Sequence, residues 1–123
     1  MIIGVAATNF GASTLLSNNL DADRGMLVSS LRKAQSYAMS KKNNLSWGVC
    51  LTSSTIRVFG GTCASPTIKD DYVLSNSTEI SGLSTVTFSN LRGEPSTTQS
   101  IVLTGNNKTY TITVNLLGGI QIN

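Results

Sequence analysis

Residues 20–51 read LDADRGMLVSSLRKAQSYAMSKKNNLSWGVCL, and the hydrophobic period changes partway along them. From Leu20 to Lys42 the apolar residues fall at Leu20, Leu27, Leu31, Ala34 and Ala38. Arg24 completes a spacing that makes one stripe on a helix. Asp21 and Asp23 stand toward its start, and Arg32, Lys33, Lys41 and Lys42 toward its end, which suits a helix dipole. Asn43-Asn44 predicts the stop. From Trp47 the residues alternate, with Trp47, Val49 and Leu51 on one face and Ser46, Gly48 and Cys50 on the other. A single amphipathic helix followed by strands closes a core only if the helix lies lengthwise on the apolar face of the sheet, so the stretch predicts an α+β fold.

Beyond it, a turn at Ser53-Ser54 places Leu51 opposite Ile56 and Val49 opposite Val58, keeping the apolar residues on one face. Gly60 to Ser84 reads as loop-rich, with only Tyr72 to Leu74 extended. Val86 and Phe88 alternate with Thr85, Thr87 and Ser89 up to a turn at Arg92-Gly93-Glu94-Pro95. A hairpin centred on Asn106-Asn107 pairs Leu103 with Tyr110 and Ile101 with Ile112. A three-residue loop, Leu117-Gly118-Gly119, then lets Val114 and Leu116 share a face with Ile120 and Ile122. Upstream, Met1 to Asn19 reads as a partly helical lead-in. The expected layout is 1–19 as the lead-in and 20–123 as the head, with its helix over 20–42 and its β-region over 45–123.

Composition removes most chemistry. The 123 residues include no His, which excludes Ser-His-Asp and Cys-His relays and imidazole metal sites. Only 12% are charged, while Ser, Thr and Asn make up about a third of the chain. Phosphate-binding loops and the nucleophile elbow are missing. No catalytic residue, cofactor, metal or small-molecule substrate is expected. The net charge of +3 is scattered, without the basic stripe of a strong nucleic-acid footprint. Asp70-Asp71, with only Glu79 nearby, is too poor in carboxylates for the roughly six to eight oxygens of calcium and reads as a solvated loop. The triplets beginning at Asn44, Asn76 and Asn107 match the glycosylation pattern, as expected by chance in a chain so rich in Ser and Thr. Trp47 reads as a core anchor under the helix. Cys50 and Cys63 lack C-x-x-C spacing. Cys50 faces away from the Trp47 side, opposite Arg57, so a disulfide requires the loop after Gly60-Gly61 to fold back over the outer face; the alternative is two unrelated thiols. No segment reaches the about 20 apolar residues of a membrane helix, and the amino end shows no signal peptide.

Three stretches together resemble the GspH/FimT-type minor pilins and pseudopilins of type IV pili and type II secretion systems. The helix end, Leu27-Val28-Ser29-Ser30-Leu31-Arg32-Lys33-Ala34-Gln35-Ser36-Tyr37-Ala38, is similar to the family's. Val86-Thr87-Phe88-Ser89-Asn90-Leu91-Arg92-Gly93-Glu94-Pro95 is similar to its strand, Gly and Pro. Tyr110-Thr111-Ile112-Thr113-Val114-Asn115 with Gly118-Gly119-Ile120-Gln121-Ile122 is similar to its closing hairpin. The family's Gly-Phe-Thr-Leu-Ile-Glu peptidase site and following membrane run are not in the sequence; Met1 to Ala7 reads as the tail of that run, and the chain as a soluble fragment.

The resemblance implies a pilin-like roll and a non-catalytic subunit of a filament in the bacterial envelope, in the inner membrane and periplasm or on an extracellular pilus. Its partners would be other pilin or pseudopilin subunits and, through the amino-terminal segment, the inner membrane. An oxidising location also favours pairing of Cys50 with Cys63. The rival is a DNA-binding minor pilin of natural transformation. Family DNA contacts would fall in the closing hairpin, which carries no Arg or Lys here, leaving Arg92 and Lys108 as candidate loop contacts and DNA binding weak. A third reading is a solitary β-rich adhesin-like module.

Overall fold

The computed structural model describes residues 12–105 and 107–123, with side chains from residue 19 onward. Most of Met1 to Asn19 and the Asn106 half of the hairpin centre lie outside this description. Helix α1, Ala12–Met39, is followed by a short 3-10 turn, Lys42–Asn44. The strands are β1 (Trp47–Thr52), β2 (Thr55–Gly61), β3 (Pro66–Val73), β4 (Glu79–Ser81), β5 (Val86–Thr87), β6 (Gln99–Gly105), β7 (Lys108–Val114) and β8 (Ile120–Ile122). They form two four-stranded sheets, ordered β3-β2-β1-β5 and β4-β6-β7-β8. All strand pairs are antiparallel. The helix packs on both sheets, giving the expected α+β, pilin-like architecture.

Helix α1 ends three residues before the expected Lys42. Lys41, Asn43 and Asn44 take positive φ of 52°, 54° and 56°, a conformation that Asn tolerates better than most residues and that breaks the helical ladder. Trp47 Nε1 donates to Lys42 O at 2.9 Å, and the Tyr37 and Trp47 rings meet edge to face with centroids 4.9 Å apart. This corner aims β1 back beneath the helix, and Trp47 is the expected core anchor.

The buried stripe of α1 is Leu20, Asp23, Leu27, Leu31, Ala34 and Ala38, flanked by Val28 and Ser30. The expectation that Arg24 continues it fails: Asp23, wholly buried, takes that position. The dipole reading fails with it, because the described helix already extends back to Ala12, well before Asp21, and has no basic residue in its last turn. The two carboxylates hold sheets instead. Asp23 Oδ1 accepts from Tyr72 OH at 2.7 Å and its Oδ2 from Ser75 N at 3.1 Å, while Asp21 Oδ1 accepts from Tyr110 OH at 2.7 Å. Tyr72 belongs to one sheet and Tyr110 to the other, so one helical turn is tied to both.

The β1–β2 register is the expected one, Leu51 with Ile56 and Val49 with Val58. So is β6–β7, Leu103 with Tyr110 and Ile101 with Ile112. Two expectations are corrected. The loop-rich reading of Gly60 to Ser84 missed β3, in which Ile68 and Tyr72 pack on the core. Lys69, Asp70 and Asp71 interrupt its alternation, and Pro66 is tolerated because it opens an edge strand. The closing turn is also longer than three residues. Val114 pairs with Ile120 and Ile112 with Ile122, leaving Leu116 exposed in the loop. Asn115 Oδ1 causes this by accepting from Leu117 N at 3.0 Å and Gly119 N at 2.9 Å, an Asx turn that ends β7 early.

Leu27 is wholly buried between the helix and the sheets. Leu27→Ala should therefore cost about 2–5 kcal/mol, read from urea unfolding. The tyrosine anchors predict alkaline sensitivity. Burial, reinforced by the Asp23 carboxylate, pushes the Tyr72 phenol up to about 12. Its folded value exceeds the unfolded value near 10, so its contribution is complete below pH 10 and disappears as pH rises toward 12. Tyr110 shifts in the same direction, through its hydrogen bond to Asp21. Unfolding midpoints measured from pH 9 to 12 should fall, and Tyr72→Phe should flatten the decline.

Candidate interaction surfaces of the head

Cys50 and Cys63 form a disulfide with a Cα separation of 6.3 Å. Cys50 points away from the helix side of β1 and is wholly buried with Phe59 on the outer face, apart from the main core. Gly48 makes room for this second cluster: a Cβ there would stand 2.8 Å from the Phe59 ring and 2.2 Å from Val86 O. The loop after Gly61 folds over this face, as the pairing requires.

The same face carries a row across three strands, because Cys50 pairs with Arg57 and Arg57 with Asp71. Arg57 Nε and Nη2 grip the two Asp71 oxygens at 2.9 and 3.2 Å, while Nη1 donates to Cys63 O at 3.0 Å. One guanidinium thus joins β3 to the disulfide loop. Its hydrogen bond holds the Asp71 carboxyl below the usual range. That contribution is present above the unfolded carboxylate range and is lost as pH falls through the folded value. Asp70 pairs with Lys33 of the helix, whose ammonium this contact shifts upward. Asp70-Asp71 is therefore an ion-paired piece of strand, correcting the solvated-loop reading. Glu79 stands on the other sheet, in β4.

Arg92 and Lys108 are both exposed but are not brought together. Arg92 precedes Gly93, where a Cβ would touch Gln35 and Met39 near the helix end. Lys108 pairs with Gly105, which abuts Leu20. Fifteen helical residues separate Gln35 from Leu20, about 22 Å along the axis. A single short ligand cannot readily bridge the two cations.

Sequence reasoning missed the residue that ties the two loops of the helix end. Gln35 Nε2 donates to Gly93 O and to Gly118 O, each at 2.8 Å. Gly93 and Gly118 have φ of 67° and 89°, and a Cβ at either would strike the Gln35 side chain. A lone amide beside an apolar stripe, opposite two glycine turns, was the available signal. Around this clamp lie the exposed Leu91, Leu116, Leu117 and Met39. Among the described residues no cluster of three or more potential ligands for a metal is found, and no helix is long and apolar enough to cross a membrane.

The family model for type II transport protein GspH matches residues 26–118. The chain belongs to the GspH family. The match spans the second half of α1, the first sheet, β4, β6 and β7 of the second, and the Gln35-clamped loops, and ends just before β8. Neither the curated proteins nor the solved structures give a match. The GspH family is a structural pseudopilin family of the type II secretion system, a machine of the cell envelope, and membership implies assembly with other pseudopilin subunits.

The disulfide predicts that protein folded under oxidising conditions shows no alkylatable thiol by mass until it is reduced. Cys50→Ala with Cys63→Ala should lower stability by about 3 kcal/mol in the chain-entropy account.

Proposed function

We propose that this GspH-family chain is a non-catalytic minor subunit of the type II secretion pseudopilus. Its amino-terminal segment joins the inner membrane and then the filament core, while the head meets neighbouring subunits or cargo. The observation that carries this reading is the family match over residues 26–118, which covers most of the head. Residues whose side chains do the holding, Asp21, Asp23, Lys33 and Gln35, all lie on α1 and reach both sheets. Load on the helix is therefore passed to the whole head, as a filament subunit requires. The periplasm, which the envelope assignment favours, is oxidising and suits the disulfide.

The rival is a DNA-binding minor pilin of natural transformation. It finds weak support in the separation of Arg92 from Lys108, since few phosphates can be met at once and binding should fade between low and physiological salt.

Deleting the gene tests the two together. The expected result is accumulation of type II substrates in the periplasm with unchanged DNA uptake, restored by the wild-type chain. Normal secretion with lost DNA uptake would instead favour the rival.

A further inference from the structure

Among the described residues the four outer sheet edges differ. β3 carries Pro66, Lys69, Asp70 and Asp71, the devices with which proteins blunt an edge. β5 spans only two residues, and β4 carries Glu79. β8 bears neither charge nor proline. Its ladder to β7 shows which groups are spare. Thr111 N donates to Asn123 O at 3.3 Å and Asn123 N to Thr111 O at 2.8 Å, and Asn115 N donates to Gly119 O at 3.0 Å. Bonded and non-bonded positions alternate in an antiparallel pair, so Ile120 and Ile122 turn their N–H and C=O groups away from β7.

The helix runs beside that edge. Gly118, just before β8, is held by Gln35, while Ile122 lies with Val28 and Arg24 along an open groove of about 650 Å³ that also includes Gly25, Ser29 and Arg32. Strand and helix therefore run side by side in opposite directions. The distances agree, since four strand residues cover about 13 Å and seven helical residues about 10 Å. Arg24, Val28 and Arg32, at i, i+4 and i+8, form one row overlooking the groove. Among the described residues neither Arg24 nor Arg32 has a carboxylate within salt-bridge distance. The Arg24 guanidinium lies 4.3 Å from the centre of the Tyr110 ring, and Lys33 is engaged by Asp70. Ile122 remains 45% exposed.

The geometry points to this groove as a strand-addition site for an extended acidic segment of a partner protein, hydrogen-bonded to the outer edge of β8 with carboxylates on Arg24 and Arg32. The two arginines stand about 12 Å apart along the helix, which an extended chain covers in about four residues. The matching segment thus reads acidic, any, apolar, any, acidic, with its apolar residue against Val28 and Ile122. A polypeptide fits better than a nucleic acid because the edge offers both backbone donors and acceptors, whereas phosphates take donors alone. The inference deepens the assembly role proposed above and rests on it for the source of the partner.

The test titrates the 123-residue chain with a labelled peptide, Glu-Thr-Val-Thr-Glu flanked by threonines, followed by fluorescence anisotropy and amide hydrogen exchange. Saturable binding is expected, with slowed exchange at Ile120 and Ile122 and loss of binding when proline replaces the peptide's central Val. Arg32→Glu, at an exposed position, should weaken binding by about tenfold or more, and a peptide with Lys for Glu should restore it. Absent binding, binding without slowed exchange, equal binding of the proline peptide or indifference to Arg32→Glu would overturn the site. So would a single-stranded oligonucleotide that occupies the groove in preference to the peptide. Failure here with secretion still dependent on the chain removes only this site; secretion independent of the chain strikes the assembly role and leaves the peptide result standing.

Discussion

Burial of one helix stripe against two sheets is the constraint from which the rest of the head follows. Leu27, Leu31, Ala34 and Ala38 join the same core as Val49, Ile56 and Val58 of the first sheet and Ile101, Leu103 and Ile112 of the second. Neither four-stranded sheet has its own cover, so the helix is the shared wall of both. Apolar contact alone would leave such a helix free to slide, because hydrophobic attraction has little directionality. Asp23 on Tyr72, Asp21 on Tyr110 and Gln35 on two loop carbonyls fix its position along its axis. Buried polar groups need such partners, and here the partners come from different sheets.

The sequence made the architecture legible where local pattern and tertiary demand agree. Period-2 runs joined by short turns gave β1, β2, β6 and β7 in the observed register, because a one-residue slip would turn every apolar side chain outward. β3 escaped because Asp70 and Asp71 break its alternation, and their partners Lys33 and Arg57 lie 37 and 14 residues away. The closing turn escaped because the Asn115 side chain, rather than the glycines alone, sets the loop length. Asp21 and Asp23 looked like dipole partners since a tyrosine hydroxyl on a distant strand leaves no mark on helical periodicity.

Of the candidate sites, the disulfide was readable because strand parity put Cys50 on the outer face and left one loop able to reach it. Arg92 and Lys108 were identified as exposed cations, but their separation depends on which end of the helix each turn meets. That is a property of the assembled fold. The groove beside β8 was less legible still, since it needs the register of β7 on β8 and the direction of the helix together.

Covalent and polar restraints are divided between the two faces of the first sheet. The disulfide and the Arg57–Asp71 pair lie on the face of the first sheet that the helix does not cover, where hydrophobic packing is thinnest. The helix contacts secure the opposite face. Between them, β3 is locked from both sides, by Lys33 through Asp70 and by Arg57 through Asp71, so this edge is both charged and held. Among the described residues β8 has no ion pair and is held by its ladder to β7 and by the Gln35 contact with Gly118 just before it. An edge left plain while β3 is charged and pinned makes one side of the molecule more open to strand pairing than the other.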